Sequence, residues 1–328
     1  MSDLLREIPI TEVGNIKIGH AENYDAATGC TVIIAEDGAA TGVDIRGGAP
    51  ASRECGLLNP LAANDAIHAI VLSGGSAFGL DAAGGVAKYL EERDIGFPVG
   101  VTKVPIVCAS CLFDLQLVDH KIRPDAKMGY EACENAEKNT KGWPKQGNIG
   151  AGTGATVGKA KGVEGMMKSG LGVYAVQLGD LKVGAVVAVN ALGDIYDADT
   201  LEKLAGLLDY KTGEFQDTEK VFFEQYAGMQ NLFAGNTTIG AVITNAAFTK
   251  TELTKIAGMA HNGYARAIRP VHTNADGDSI YAMGMGEVKA DLNVTGMLAA
   301  KVMARAIKNA VCEAEGMYGL KAARDIKK

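Results

Sequence analysis

Asn236-Thr237-Thr238-Ile239-Gly240-Ala241-Val242-Ile243-Thr244-Asn245-Ala246 is the stretch from which the rest of this chain is best read. The run from Ile239 is small, apolar and partly β-branched, which suits a buried strand. It follows a Gly-Asn turn and opens on two hydroxyl residues. Two readings stay open on these residues alone. Thr-Thr ahead of a strand is ordinary β-propensity. The alternative is that the strand starts a second polypeptide, made when the chain cuts itself between Asn236 and Thr237. A freed Thr237 would then carry its own base, an α-amine with a pKa of roughly 7.7–8.0.

Outward from this strand, residues 171–178 and 182–191 read as a hairpin across Gly179-Asp180. Residues 28–36 and 39–45 read as another, around Asp37-Gly38. Residues 67–73 are a buried strand, and Ser73-Gly-Gly-Ser76 turns from it into a helix near 78–93. Further helices are expected at 125–139, 200–208, 218–226, 250–267 and 291–314, with a strand near 279–284. Residues 138–154 read as polar, glycine-rich loop. Hairpins in two places with helices grouped between them predict sheets packed face to face and covered by helices. A doubly wound parallel sheet would need a strict strand–helix alternation, which this order lacks.

Composition narrows the function. The 328 residues hold 42 glycines and 47% hydrophobic residues, so the chain is globular and rich in tight turns or close backbone approaches. Net charge is −7, and the 32 basic residues form no stripe, which argues against a nucleic-acid partner. The first ten residues lack the apolar core of an export signal, and no apolar run reaches the ~20 residues of a membrane helix. A cytoplasmic enzyme is the expectation. Six cysteines then default to reduced thiols, Cys108 and Cys111 included. The histidines show no ligand spacing, so no metal is implied, and no cofactor either.

Gly147-Asn-Ile-Gly150-Ala-Gly152-Thr-Gly154-Ala-Thr-Val-Gly158-Lys159 invites a phosphate-loop reading and fails it. Thr153 stands where the pattern needs glycine, and Ala160 where it needs Ser or Thr. The segment is either a structural turn or one that brings Lys159 close to a site. Asp276-Gly277-Asp278 can grip a hydroxyl or an ammonium, or be a turn at a strand start. Asn190, in a very apolar segment, must find partners, and its amide is a candidate oxyanion donor.

Taken together, Arg46-Gly-Gly-Ala-Pro50, Leu72-Ser-Gly-Gly-Ser-Ala-Phe-Gly-Leu80, the 150–159 segment, Asn236-Thr-Thr-Ile239 and His272-Thr…Asp276-Gly-Asp278 occur in an order that resembles the DmpA-type L-aminopeptidase/D-esterase family. That family includes β-peptidyl aminopeptidases and nylon-oligomer hydrolases. The resemblance runs from about residue 10 to 312. It implies an α+β, four-layer αββα sandwich, similar to ornithine acetyltransferases, in one domain cut into 1–236 and 237–328. It implies Thr237 as nucleophile and Asn236–Thr237 as scissile bond, with Lys159, Asn190, Asp276 and Asp278 around them. It implies small peptide, amide or ester substrates and a homo-oligomer, a tetramer of processed pairs. Ala51-Ser52-Arg53-Glu54 departs from the family's usual Gly-Thr-Arg-Glu, and relatives usually lack the cysteines found at 108 and 111. An acyltransferase with similar processing, or an unprocessed binding protein, are the rival expectations.

Overall fold

The computed structural model describes residues 4–138, 144–227 and 236–326. Its principal strands are β1 (Lys17–Asn23), β2 (Thr28–Ile45), β3 (Ala66–Ser73), β4 (Val107–Cys111), β5 (Leu171–Leu178), β6 (Leu181–Ala188), β7 (Ile239–Ala246) and β8 (Ser279–Val288). The helices are α1 (Ala82–Glu91), α2 (Ala126–Lys138), α3 (Thr218–Ala227), α4 (Lys250–Ala267) and α5 (Leu292–Cys312). One ten-stranded sheet runs Arg6–Glu7, β5, β6, β7, β8, β2, β3, β4, Ala51–Arg53, with β1 also paired to β2. The pairs β7–β8 and β3–β4 are parallel, and the other pairings are antiparallel.

The long β2 folds this sheet onto itself. Its second half pairs with β8, from Ala40 opposite Gly284 to Ile45 opposite Ser279. Its first half pairs with β1 and β3. Between them the register with β3 slips, so that five steps from Ile34 to Ala39 face two from Ala69 to Ile67. The surplus forms a bulge at the expected Asp37-Gly38 turn, with Gly38 at φ +78°. The expected hairpin over 28–45 is therefore one bent strand. The turn residues do turn the chain, but by less than a reversal.

Alternation then fills three cores between four layers. On β7, Ile239, Ala241 and Ile243 face the space between the two halves of the sheet, beside Ile33, Ile70, Leu72 and Tyr281. Val242 faces the other way, onto α4 and α5 with Val187, Tyr264 and Met303. On the far side Val32, Ile34, Ala69 and Val71 pack against α1 and α2. The arrangement is the expected helix–sheet–sheet–helix sandwich. Each fully buried Ile or Val in it contributes about 1.5–3 kcal/mol. A capping box at Thr249 and Glu252 starts α4, and Asp291 caps α5 through Val294 N–H.

Residues 200–208, expected to be helical, instead carry a short strand, Lys203–Ala205, paired with Asp194–Tyr196. Asp197 accepts the Asp199 and Thr200 N–H groups at 2.8 and 3.3 Å and so turns the chain back into this pairing, while Ala205 and Leu208 face the core. The expected turn at Gly235 lies outside the described residues. Strands from both sides of residue 236 interleave: β7 and β8 lie between β6 and β2. Because β7 and β8 are parallel, their starts share one edge, and the end of antiparallel β6 arrives there too. Thr237, Asp276–Asp278 and Asn190 meet at that edge.

Candidate active site

Each flank of the 236–237 bond is gripped by backbone. The Thr237 N–H donates to the Asn190 carbonyl at 3.0 Å. The Gly277 N–H donates to the Asn236 carbonyl at 3.1 Å, and Asn236 forms a parallel bridge with Asp276. The Thr237 hydroxyl donates to the same Asn236 carbonyl oxygen, so this hydroxyl and the carbonyl of the adjoining bond are in contact. A Cβ on Gly277 would stand 2.7 Å from that hydroxyl oxygen, which explains a glycine at this position.

The five side chains singled out in the sequence come together here, and all are at most 4% exposed. Asp278 accepts the Thr238 N–H at 2.8 Å with one oxygen, and His272 Nδ1 lies 2.9 Å from the other. Asp276 accepts Thr273 N–H at 2.7 Å and the Thr273 hydroxyl at 2.6 Å. The Lys159 ammonium donates to the Asn190 side-chain oxygen at 2.6 Å and to its backbone carbonyl at 3.3 Å. That backbone carbonyl is the one that holds Thr237 N–H, so Lys159 reaches Thr237 through Asn190. The Asn190 amide nitrogen donates to the Phe113 carbonyl at 2.9 Å, which leaves one N–H for an oxyanion.

Burial shifts the protonation of this cluster. Burial pulls the Lys159 ammonium down to about 7, against the opposing pull of Asp276 and Asp114. Burial, then the charge of Asp278, push Asp276 up to about 6, against hydrogen bonds from Thr273 and the charge of Lys159. The acid and the amine thus sit within reach of neutral pH, as acid–base chemistry requires.

Sequence reasoning did not single out Gly277 as a donor, since Asp-Gly-Asp reads as a turn. It also passed over Asp114, a lone acid among apolar residues. Asp114 is buried, accepts Gly75 N–H and the Thr28 hydroxyl at 2.7 Å each, and is pushed by burial up to about 6. Lys168 was missed for the same reason. It is fully buried and bound to the carbonyls of Gly152 and Ala155 at 2.9 and 3.0 Å, which braces the glycine-rich segment carrying Lys159.

The model of peptidase family S58 matches residues 9–324. The chain belongs to that family. It is a hydrolase of peptide or amide bonds. An uncharacterized aminopeptidase of Mycobacterium leprae (strain TN) is 36% identical, with 95% of this chain and 92% of the relative covered. A 6-aminohexanoate-oligomer endohydrolase of Agromyces sp. (strain KY5R) is 34% identical, covering 86% and 76%. Among solved structures, the L-aminopeptidase D-Ala-esterase/amidase of Ochrobactrum anthropi, described as a variant of the Ntn-hydrolase fold, gives a TM-score of 0.69 at 17% identity, over 94% of this chain and 87% of that one. A Burkholderia sp. β-aminopeptidase gives 0.66 at 19%, over the same shares. The family and fold expected from the motifs of this S58 chain are borne out.

Proposed function

We propose that this chain cuts itself between Asn236 and Thr237 and that the freed Thr237 is the nucleophile for small peptide and amide substrates. The contact of the Thr237 hydroxyl with the Asn236 carbonyl, itself held by Gly277 N–H, carries this reading. Oγ attacks the Asn236 carbonyl carbon, the C–N bond breaks, and the hydroxyl's proton goes to the departing nitrogen, which becomes the α-amine. Water then hydrolyses the resulting ester and releases Asn236 as a chain end. Gly277 N–H is placed to bind the developing oxyanion; one such donor is typically worth ~3–4 kcal/mol. In the mature enzyme the α-amine takes the proton from Oγ as Oγ attacks a substrate carbonyl. Asp276 and Asp278 orient the residue, and Asn190 with Lys159 holds its nitrogen side.

A denaturing gel tests the first step. The wild-type chain runs as two bands rather than one near 34.1 kDa, and Thr237→Ala stays whole and inactive. Cleavage at this bond in Thr237→Ala protein would remove Thr237 from the mechanism. A strong amine acceptor separates hydrolysis from acyl transfer by its product. A tetramer of processed pairs is supported by the family resemblance, and mass measurement in solution tests it. A cytoplasmic location is supported by six cysteines, all free thiols.

A further inference from the structure

One imidazole touches the site and has no part in the chemistry above. The turn from 272 to 278 grips two of its own carboxylates from its start, and grips both in the same way. Thr273 gives its backbone N–H and its hydroxyl to one oxygen of Asp276, at 2.7 and 2.6 Å. His272 gives its backbone N–H, at 3.2 Å, and its ring Nδ1, at 2.9 Å, to one oxygen of Asp278. The other Asp278 oxygen takes the Thr238 N–H at 2.8 Å. A carboxylate that accepts on both oxygens fixes the ring's proton on Nδ1.

The ring makes no second hydrogen bond. Its Nε2 is buried and has no hydrogen-bond partner among the described residues. Tyr264 stacks on it with centroids 5.9 Å apart, and His261 meets it edge to face at 4.7 Å. The backbone at His272 is left-handed, with φ +59°, a strained conformation for a residue other than Gly or Asn. Such strain persists only where the surroundings over-determine it. Here they are Asp278 and the two rings.

Thr238 is where this grip acts. The ladder of β7 begins only at Ile239. Ahead of it, Thr238 is held by its carbonyl, which accepts Ser279 N–H at 3.2 Å, and by its N–H on Asp278. In the uncut chain Thr237 is also tethered through Asn236, which Gly277 N–H and the bridge to Asp276 hold. Cutting removes that tether, and a chain end that is not tied down frays. We propose that His272 is a positioning residue: by holding Asp278 it fixes Thr238, and so aims the new Thr237 terminus during turnover. The proposal rests on Thr237 being the nucleophile. It makes His272 matter more to turnover than to self-cleavage.

Two substitutions separate the ring from the backbone. Gly accepts the left-handed φ and has no side-chain donor, while Asn accepts it and brings an amide N–H in place of Nδ1–H. Steady-state kinetics are read on leucyl p-nitroanilide and on a 6-aminohexanoate oligomer, per processed chain counted by intact mass. His272→Gly still cuts itself and lowers kcat about ten-fold, the scale of one hydrogen bond to a charged group, with KM little changed. His272→Asn recovers most of that loss. A processed His272→Asn chain no faster than His272→Gly overturns this proposal alone, since the ring then only fills space. So does a His272→Asn chain that folds but stays whole. A wild-type chain that stays whole and hydrolyses neither substrate brings down the reading of Thr237 and this one with it.

Discussion

β6 and β7 carry similar polar groups at both of their ends. At the hairpin end, Asn245 donates to the Asp180 carbonyl at 2.9 Å and accepts Lys182 N–H at 2.8 Å. There the Thr244 hydroxyl donates to the Lys182 carbonyl at 2.9 Å, and the Lys182 ammonium to the Glu12 carbonyl at 2.8 Å. At the opposite end an Asn, a Lys, a Thr and two Asp make bonds of the same lengths. The difference is water. Asp180 is exposed and Lys182 and Asn245 are half-buried, while Asn190, Lys159, Thr237, Asp276 and Asp278 are buried. Dry surroundings turn a hydrogen-bonded strand end into one whose charges respond near neutral pH.

A methyl group at each end breaks the comparison most sharply. Gly277→Ala drives a Cβ to within 2.7 Å of the Thr237 hydroxyl oxygen. Displacing the nucleophile or its oxyanion donor by about 1 Å costs on the order of 10²-fold in rate. Self-cleavage followed by gel should slow at least that much while the chain still folds. Gly179→Ala has open space around it and a φ of +57°. It should cost about 1–2 kcal/mol of stability, from the left-handed backbone alone, and leave cleavage untouched. Equal cleavage by the two variants would show that Gly277 does not crowd the reacting atoms.

The sequence disclosed the two ends unequally. The hairpin end was legible because Gly179-Asp180 between apolar runs has a local cause. The site end was legible only through motifs, since Thr237, Asn190, Lys159 and Asp276 are far apart in the chain and meet through sheet order. Gly277 and Asp114 stayed hidden, because a backbone N–H and a lone acid leave no pattern. The bend in β2 and the strand at 203–205 were misread for a related reason. Turn residues mark where a chain can turn, and only partners elsewhere decide how far.

pH should separate the ends without mutation. Asp276 and Asp114 both rise from 3.8 to about 6 in the folded chain. A raised acid contributes stability that is full below the unfolded value and lost as pH climbs through the folded one. Between about pH 4 and 6 these two therefore make the fold less stable as pH rises. Lys159, lowered from 10.5 to about 7, contributes stability present above 10.5 and lost as pH falls through 7. In the Thr237→Ala chain, which stays in one piece, Asp276→Asn should lessen the fall in melting temperature across pH 4–6 and leave the share due to Asp114. Hydrolysis by the processed enzyme should move oppositely, falling with pH as Asp276 takes up a proton. A melting curve whose slope in this window ignores Asp276→Asn would place that carboxylate's titration elsewhere.

The smallest effect belongs to the wet end. Asn245→Ala removes the acceptor of Lys182 N–H and the donor to the Asp180 carbonyl. Water reaches both groups once the amide is gone, because Asp180 is exposed and Lys182 half-buried. The loss should be near the net value of a hydrogen bond or two, about 1–2 kcal/mol by chemical denaturation. Processing and KM should stay at wild-type values, since β7 keeps its ladder to β6 from Ile239 to Thr244. Impaired self-cleavage in Asn245→Ala would mean that strand position is transmitted along β7, and that dryness alone does not set the two ends apart.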